Sequence, residues 1–318
     1  MDHAPAPLYD DVAGGPPGGA AWWLRCSDGV RIRIGCWRPE GAAQGTVLLF
    51  PGRTEYVEKY GSAAADLAQR GFATVAIDWR GQGLADRLID DPRPGYVDHF
   101  RDYQRDVEAV IEAATRLELP QPLYLLAHSM GGCIGLRALI EGVPVQACAF
   151  SAPMWGIQMP ALLRPVAYGA AYIGPLLGLG GHLMPSTKPE NYVETQAFDG
   201  NTLTSDPGMY EMMQAQLAAH PDLGLGGPSL RWMRESLSEM AHLARQPAPA
   251  LPCVTFLGTR ESIVSPDAIH SRMAGWSEGT LELIDGAQHE VMMEGPETRA
   301  RTFDRIAALF SDAAQANA

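Results

Sequence analysis

Basic residues are scarce in this chain: 24 lysines and arginines face 37 aspartates and glutamates, a net charge of −13 over 318 residues. A surface of that sign repels a phosphate backbone, so nucleic acid is excluded as the expected partner. Cysteine is also sparse. The five present, Cys26, Cys36, Cys133, Cys148 and Cys253, are an odd number without the paired spacing of a zinc site, so no disulfide framework and no metal is expected. Asp28-Gly29 predicts a two-residue hairpin turn that sets Cys26 opposite Arg31 and Cys36 opposite Ala21, which keeps the closest thiols apart. Residues 1–20 lack the basic start and apolar stretch of a secretory leader and read as a mobile lead segment, with cytoplasmic residence as the expectation. An unbroken membrane-spanning run is missing too. Val166 to Met184 is uncharged, but Pro175 and five glycines interrupt it, and it reads as a loosely helical apolar lid.

What is present is a β-α-β rhythm. The hairpin arms around Asp28-Gly29 have the mixed polarity of a sheet edge. Thr46 to Phe50 is a continuous apolar run closed by Pro51-Gly52, the pattern of a strand buried on both faces. Strands follow at Ala73 to Ile77, Leu123 to Ala127, Val145 to Phe150, Val254 to Leu257 and Leu281 to Ile284. Helices lie between them, one with apolar positions Phe100, Tyr103, Val107, Val110, Ile111 and Ala114. The fold class is α/β, a mostly parallel sheet covered by helices on both faces, with ligands expected at the carboxyl ends of its strands. Between Ser151 and Ala250 the rhythm stops, too long a gap for an ordinary connection. The domain reading is therefore a core of residues 21–152 and 247–318 with an inserted helical cap over 153–246. The cap carries eight of the 13 methionines, together with Trp155, Tyr168, Tyr172, Tyr210 and Trp232, a composition suited to an adaptable apolar pocket wall.

The chemistry centres on Leu125-Leu126-Ala127-His128-Ser129-Met130-Gly131-Gly132, which reads as a nucleophile elbow with Ser129 on a sharp strand-to-helix turn. Small residues two positions either side, Ala127 and Gly131, let strand and helix approach. A serine hydroxyl needs a base and a group that orients the base. Of the eight histidines, His289 alone follows the last predicted strand, on the sheet edge that carries the elbow. Glu261, after the strand ending at Leu257, fits the required order of serine, acid and histidine. Asp267 is the alternative acid, and Asp285 lies too near His289 in sequence to reach it. Backbone N–H groups of Met130 and Arg53 are the candidate oxyanion donors. The Arg53 and Glu55 side chains read as members of an ordinary salt-bridged loop, with contact to substrate as the alternative, and Asp78 to Gly83 reads as a structural turn.

With these residues in view, the chain resembles the α/β-hydrolase superfamily, and within it the monoacylglycerol lipase and bacterial lysophospholipase L2 family. The resemblance rests on Pro51 to Tyr56 through Lys59-Tyr60, on Asp78 to Gly83, on His128 to Gly132, and on the Gly258 to Glu261 and His289 segments, and it covers roughly 22–310. Pro51, Ala127 and Glu261 depart from the usual histidine, glycine and aspartate. The resemblance implies a serine carboxylic-ester hydrolase, a lysophospholipase or monoacylglycerol lipase acting on single-chain acyl lipids through an acyl-enzyme, with no cofactor. A transient membrane-surface contact through the cap is a further expectation. The alternatives are a small-ester esterase, a thioesterase or an aminopeptidase on the same scaffold, or a non-catalytic ligand-binding homologue.

Overall fold

Residues 4–316 are described by a computed structural model. Among them, nine strands form one sheet: β1 (Ala4–Ala6), β2 (Ala20–Arg25), β3 (Arg31–Trp37), β4 (Thr46–Phe50), β5 (Ala73–Asp78), β6 (Leu123–His128), β7 (Cys148–Ser151), β8 (Cys253–Gly258) and β9 (Gly279–Ile284). Their spatial order is β1-β2-β3-β5-β4-β6-β7-β8-β9. The first three pair antiparallel, and β5 through β9 are parallel. The runs that lack polar alternation, β4, β5, β6, β7 and β8, are buried along their whole length, as strands covered on both faces must be. Two apolar layers result, one built around Phe50, Leu125, Ile134 and Phe150, the other around Leu49, Leu126, Phe256 and Phe303. Crossing from β4 to β5 reverses the direction of winding, so the carboxyl ends of β4 and β6 lie side by side at the switch point where ligands bind.

Three expectations need correction. The lead segment is not loose: Ala4 to Ala6 pair with β2, the Arg33 guanidinium donates to the Pro7 carbonyl at 2.9 Å, and the Gln216 amide donates to the Val12 carbonyl at 2.9 Å. Its glycines serve close approach, since a Cβ on Gly15 or Gly19 would collide with the Trp37 indole; Met1 to His3 lie outside the described residues. The hairpin is longer by one residue than expected. Cys26 pairs with Val30 across Ser27-Asp28-Gly29, Gly29 takes φ +87°, and Cys36 faces Ala20. All five cysteines are nonetheless buried free thiols. The mixed polarity of β3 does not mark an edge either, because β1 and β2 lie outside it.

That polarity belongs to Arg33, which is 0% exposed. Its guanidinium meets Asp78 at 2.7 Å and Glu58 at 2.6 Å, and Asp78 also accepts from the Val57 and Leu84 backbone N–H groups, each at 2.8 Å. The group thereby ties β3, the carboxyl end of β5 and the segment after β4 together. A buried ion group is costly to leave half-complete. Arg33→Met is expected to lower unfolding free energy by about 3–5 kcal/mol in urea denaturation; a loss below about 1 kcal/mol would rule out this role.

Candidate active site

Ser129 opens the helix Ser129–Ile140 directly after β6, with φ +49° in the left-handed region. A non-glycine residue held there is strained, and the flanking residues show what holds it. A Cβ on Gly131 would overlap the Phe50 carbonyl oxygen, and one on Gly132 would press on Pro153. Ala127 sits in register with Phe50, where its single methyl is accommodated. Helix, β4 and the loop after β7 therefore converge on one turn.

His289 follows β9 and is buried, and the structure brings it to the serine. Its Nε2 lies 2.9 Å from Ser129 Oγ and its Nδ1 2.7 Å from Glu261 Oε2. An ionised carboxylate can only accept, so Nδ1 carries the proton and Nε2 is left to accept from the hydroxyl. Glu261 Oε1 accepts from the Ile263 and Val264 backbone N–H groups at 2.6 and 3.1 Å. Burial pushes its pKa up, but the His289 contact and these backbone donors outweigh that and hold it below the ordinary carboxylate value. Gly258 makes the meeting possible: a Cβ there would strike the Ala287 and Gln288 carbonyls where the His289 loop crosses the end of β8. Asp267 and Asp285 are exposed, and Asp285 accepts from the Thr259 hydroxyl. His99, His182, His242 and His270 are exposed; His220 stacks on Tyr9 with ring centroids 3.7 Å apart.

Beneath this constellation lies a buried charge cluster that the sequence did not signal. Lys59 Nζ bonds Glu55 Oε1 and Glu290 Oε1, each at 2.6 Å. His128 Nε2 stands 3.3 Å from Glu290 and 3.6 Å from Glu55, while its Nδ1 lies 3.0 Å from the Ser151 carbonyl. Burial lowers the His128 pKa, but the two carboxylates overcome it and leave the imidazole above its usual value. Glu55, Glu290 and His128 are a three-ligand cluster of the kind a metal uses, but the Lys59 ammonium already bridges both carboxylates. Glu55 also receives the Gly52 backbone N–H and, at 2.5 Å, the Tyr60 hydroxyl. The Asp78 to Gly83 turn supports the same loop, with Trp79 donating to the Pro51 carbonyl at 2.9 Å and Gln82 to that of Gly52 at 2.8 Å.

The oxyanion candidates straddle Ser129. Met130 is the second residue of its helix, where N–H groups have no intrahelical acceptor, and Arg53 stands on the loop after β4. The expectation that the Arg53 side chain forms a salt bridge is not met: its guanidinium donates to the Gly226 carbonyl at 2.8 Å and lies over the Trp232 ring at 5.6 Å. Ser129, His289 and Arg53 open onto one cavity of about 360 Å³, whose apolar wall includes Met154, Ile157, Val193, Met213, Leu217, Trp232, Met233 and Val264. Of the aromatics expected there, Trp155 and Tyr210 belong to the core, and Tyr168 and Tyr172 are largely exposed.

The serine aminopeptidase, S33 family matches residues 41–296. The chain belongs to this α/β-hydrolase family. It is 32% identical over 277 residues to lysophospholipase L2 of Escherichia coli (strain K12), covering 83% of this chain and 80% of that protein. Identity is 28% over 271 residues to the probable lysophospholipase L2 of Haemophilus influenzae, covering 85% and 84%. Among solved structures, a soluble variant of monoglyceride lipase from Saccharomyces cerevisiae in complex with a substrate analog superposes with a TM-score of 0.72 at 19% identity, over 91% of this chain and 94% of that one. These relatives place the hydrolase with the lysophospholipase L2 and monoglyceride lipase type.

Because its Cβ would overlap a backbone oxygen, Gly131→Ala is expected to cost about 1–3 kcal/mol as an overpacked site and to slow fluorophosphonate labelling of Ser129. Chemical denaturation and a labelling time course read both; wild-type values in both would remove the steric account of the elbow.

Proposed function

We propose that this hydrolase cleaves the carboxylic ester of single-chain acyl lipids, lysophospholipids or monoacylglycerols, through an acyl-enzyme at Ser129. The observation that carries the reading is the unbroken contact from Ser129 Oγ through His289 to Glu261, at 2.9 and 2.7 Å. Ser129 Oγ attacks the ester carbonyl as His289 Nε2 takes its proton, and Glu261 stabilises the imidazolium. The Met130 and Arg53 N–H groups receive the oxyanion, each contributing about 3 kcal/mol to the barrier reduction. His289 protonates the departing alcohol, then activates a water that releases the fatty acid. The 153–246 segment acts as the cap. Its Met213, Leu217, Trp232 and Met233 face the acyl chain, and each methylene buried there contributes about 0.8 kcal/mol. An aminopeptidase reading is disfavoured by the charges at the site. Glu55 and Glu290 are held by Lys59, and the Arg53 guanidinium would repel a substrate ammonium.

The decisive measurement is a hydrolysis panel of lysophosphatidylcholine, monoacylglycerols and short nitrophenyl esters, with Ser129→Ala as the blank. Lipid turnover in the wild type and none in the variant is expected, and a preference for the short esters would sink the lipid assignment. The His289 contact and backbone donors hold the Glu261 pKa below the ordinary carboxylate value, so its charge outlasts that of a free carboxylate as pH falls. Glu261→Gln, which removes that charge, should lower kcat by about 10⁴.

The same proposal includes contact with a bilayer. No described helix is long and apolar enough to cross a membrane, but the cap presents Leu162 (91% exposed), Leu163, Val166, Ile173, Leu176 (76% exposed) and Leu177 to solvent. Exposed apolar side chains gathered in one short stretch of chain mark a candidate interaction face. It lies on and beside the helix Arg164–Ile173, which packs on the helix Leu230–Leu243 that carries Trp232 and Met233, so docking would present the cavity to its lipid. Co-sedimentation with zwitterionic phosphatidylcholine vesicles is expected to weaken at least tenfold in Leu176→Asp/Leu177→Asp. Equal binding by both proteins would eliminate this face.

A further inference from the structure

We infer that the Arg53 side chain is a head-group anchor that receives the phosphate of a lysophospholipid, so that this cavity selects phosphate-bearing single-chain esters over neutral monoacylglycerols. The inference rests on the ester-hydrolase reading above and assigns its substrate class.

Among the described residues, the two buried arginines are held by carboxylates. Arg33 has Glu58 and Asp78, and Arg80 has Asp28 and Asp106. Arg53 has no carboxylate within ion-pair distance among the described residues. Of its five N–H donors, one is used, by Nη1 on the Gly226 carbonyl. Arg53 is half-buried and lines the same cavity as Ser129. Burial lowers its pKa to about 10, with Tyr103 and Glu55 opposing the shift, so it is charged at neutral pH. A half-buried cation short of acceptors, fixed on one side by a carbonyl and on the Trp232 face by cation–π attraction, is arranged for an anion with two oxygens to offer.

The rest of the cavity narrows the choice. Lys59, the other cation there, is already paired with both Glu55 and Glu290, so Arg53 is the one of the two without a carboxylate. Its backbone N–H is the oxyanion candidate and its side chain extends from the same residue. A lysophospholipid has the matching order, with a carbonyl at one end of the glycerol unit and a phosphate at the other. A monoacylglycerol presents only hydroxyls and leaves the guanidinium unpaired.

The test compares the wild-type chain with Arg53→Gln and Arg53→Lys on lysophosphatidylcholine and a monoacylglycerol of the same acyl chain. The readout is the ratio of the two kcat/KM values, which cancels any common effect on the oxyanion loop. In Arg53→Gln the ratio is expected to fall at least tenfold, and Arg53→Lys should restore part of it. An unchanged ratio overturns the inference and leaves Arg53 as a clamp on the cap. Inhibition of short nitrophenyl ester turnover by glycerol 3-phosphate is read independently of lipid hydrolysis. It should appear in the wild type, exceed that by inorganic phosphate, and vanish in Arg53→Gln. A wild type that turns over the short ester but neither lipid refutes the lipid reading, and the glycerol 3-phosphate arm still decides the anion site. Absence of that inhibition in the wild type overturns the site.

Discussion

The close approach of the Ser129 turn to the end of β4 is the constraint on which the site depends. With no side chain at Gly131, the helix Ser129–Ile140 can rest against the Phe50 carbonyl, and Ser129 is pressed into a left-handed conformation that projects its hydroxyl from the sheet. The same contact sets the oxyanion loop, which leaves β4 at Pro51, beside the first N–H groups of that helix. The candidate nucleophile and candidate oxyanion donors are thus held by one backbone contact, which needs no side chain to adjust during a reaction.

Around that contact the protein spends its buried charges on holding loops in place. Arg33 with Glu58 and Asp78, Arg80 with Asp28 and Asp106, and Lys59 with Glu55, Glu290 and His128 each join segments remote in sequence. In water such pairs would contribute little. Buried, their value lies in the penalty for separating them, which discourages movement of the loops that carry Arg53 and His289. Among the described residues Arg53 differs from these groups in having no acidic partner, which is the feature the proposed head-group contact rests on.

Much of this arrangement was legible in the sequence, for a physical reason. Continuous apolar runs at Thr46 to Phe50 and Leu123 to Ala127 can be stable only as strands covered on both faces, and the Ala127 to Gly132 spacing admits few backbones other than an elbow. Where the reading failed, local pattern was outweighed by contacts from afar. Glycines near the amino end looked mobile until the Trp37 indole accounted for them. Arginine in β3 looked like an edge residue until Glu58 and Asp78 were found to enclose it. A one-residue difference at Ser27-Asp28-Gly29 shifted the whole β2–β3 register, because turn type is set by backbone twist as well as by the Asp-Gly pair.

The sequence by itself determined the α/β alternation, the candidate nucleophile and the candidate base, since strand, turn and helix around Ser129 are encoded within a dozen neighbouring residues. Only the tertiary structure shows which carboxylate meets His289, Glu261 and not Asp267, because that contact depends on the His289 loop crossing the end of β8. It alone grouped Lys59, Glu55, Glu290 and His128, and it alone left Arg53 without a carboxylate. Ion pairing between segments far apart in the chain follows from strand order and packing, and residue spacing carries no record of either.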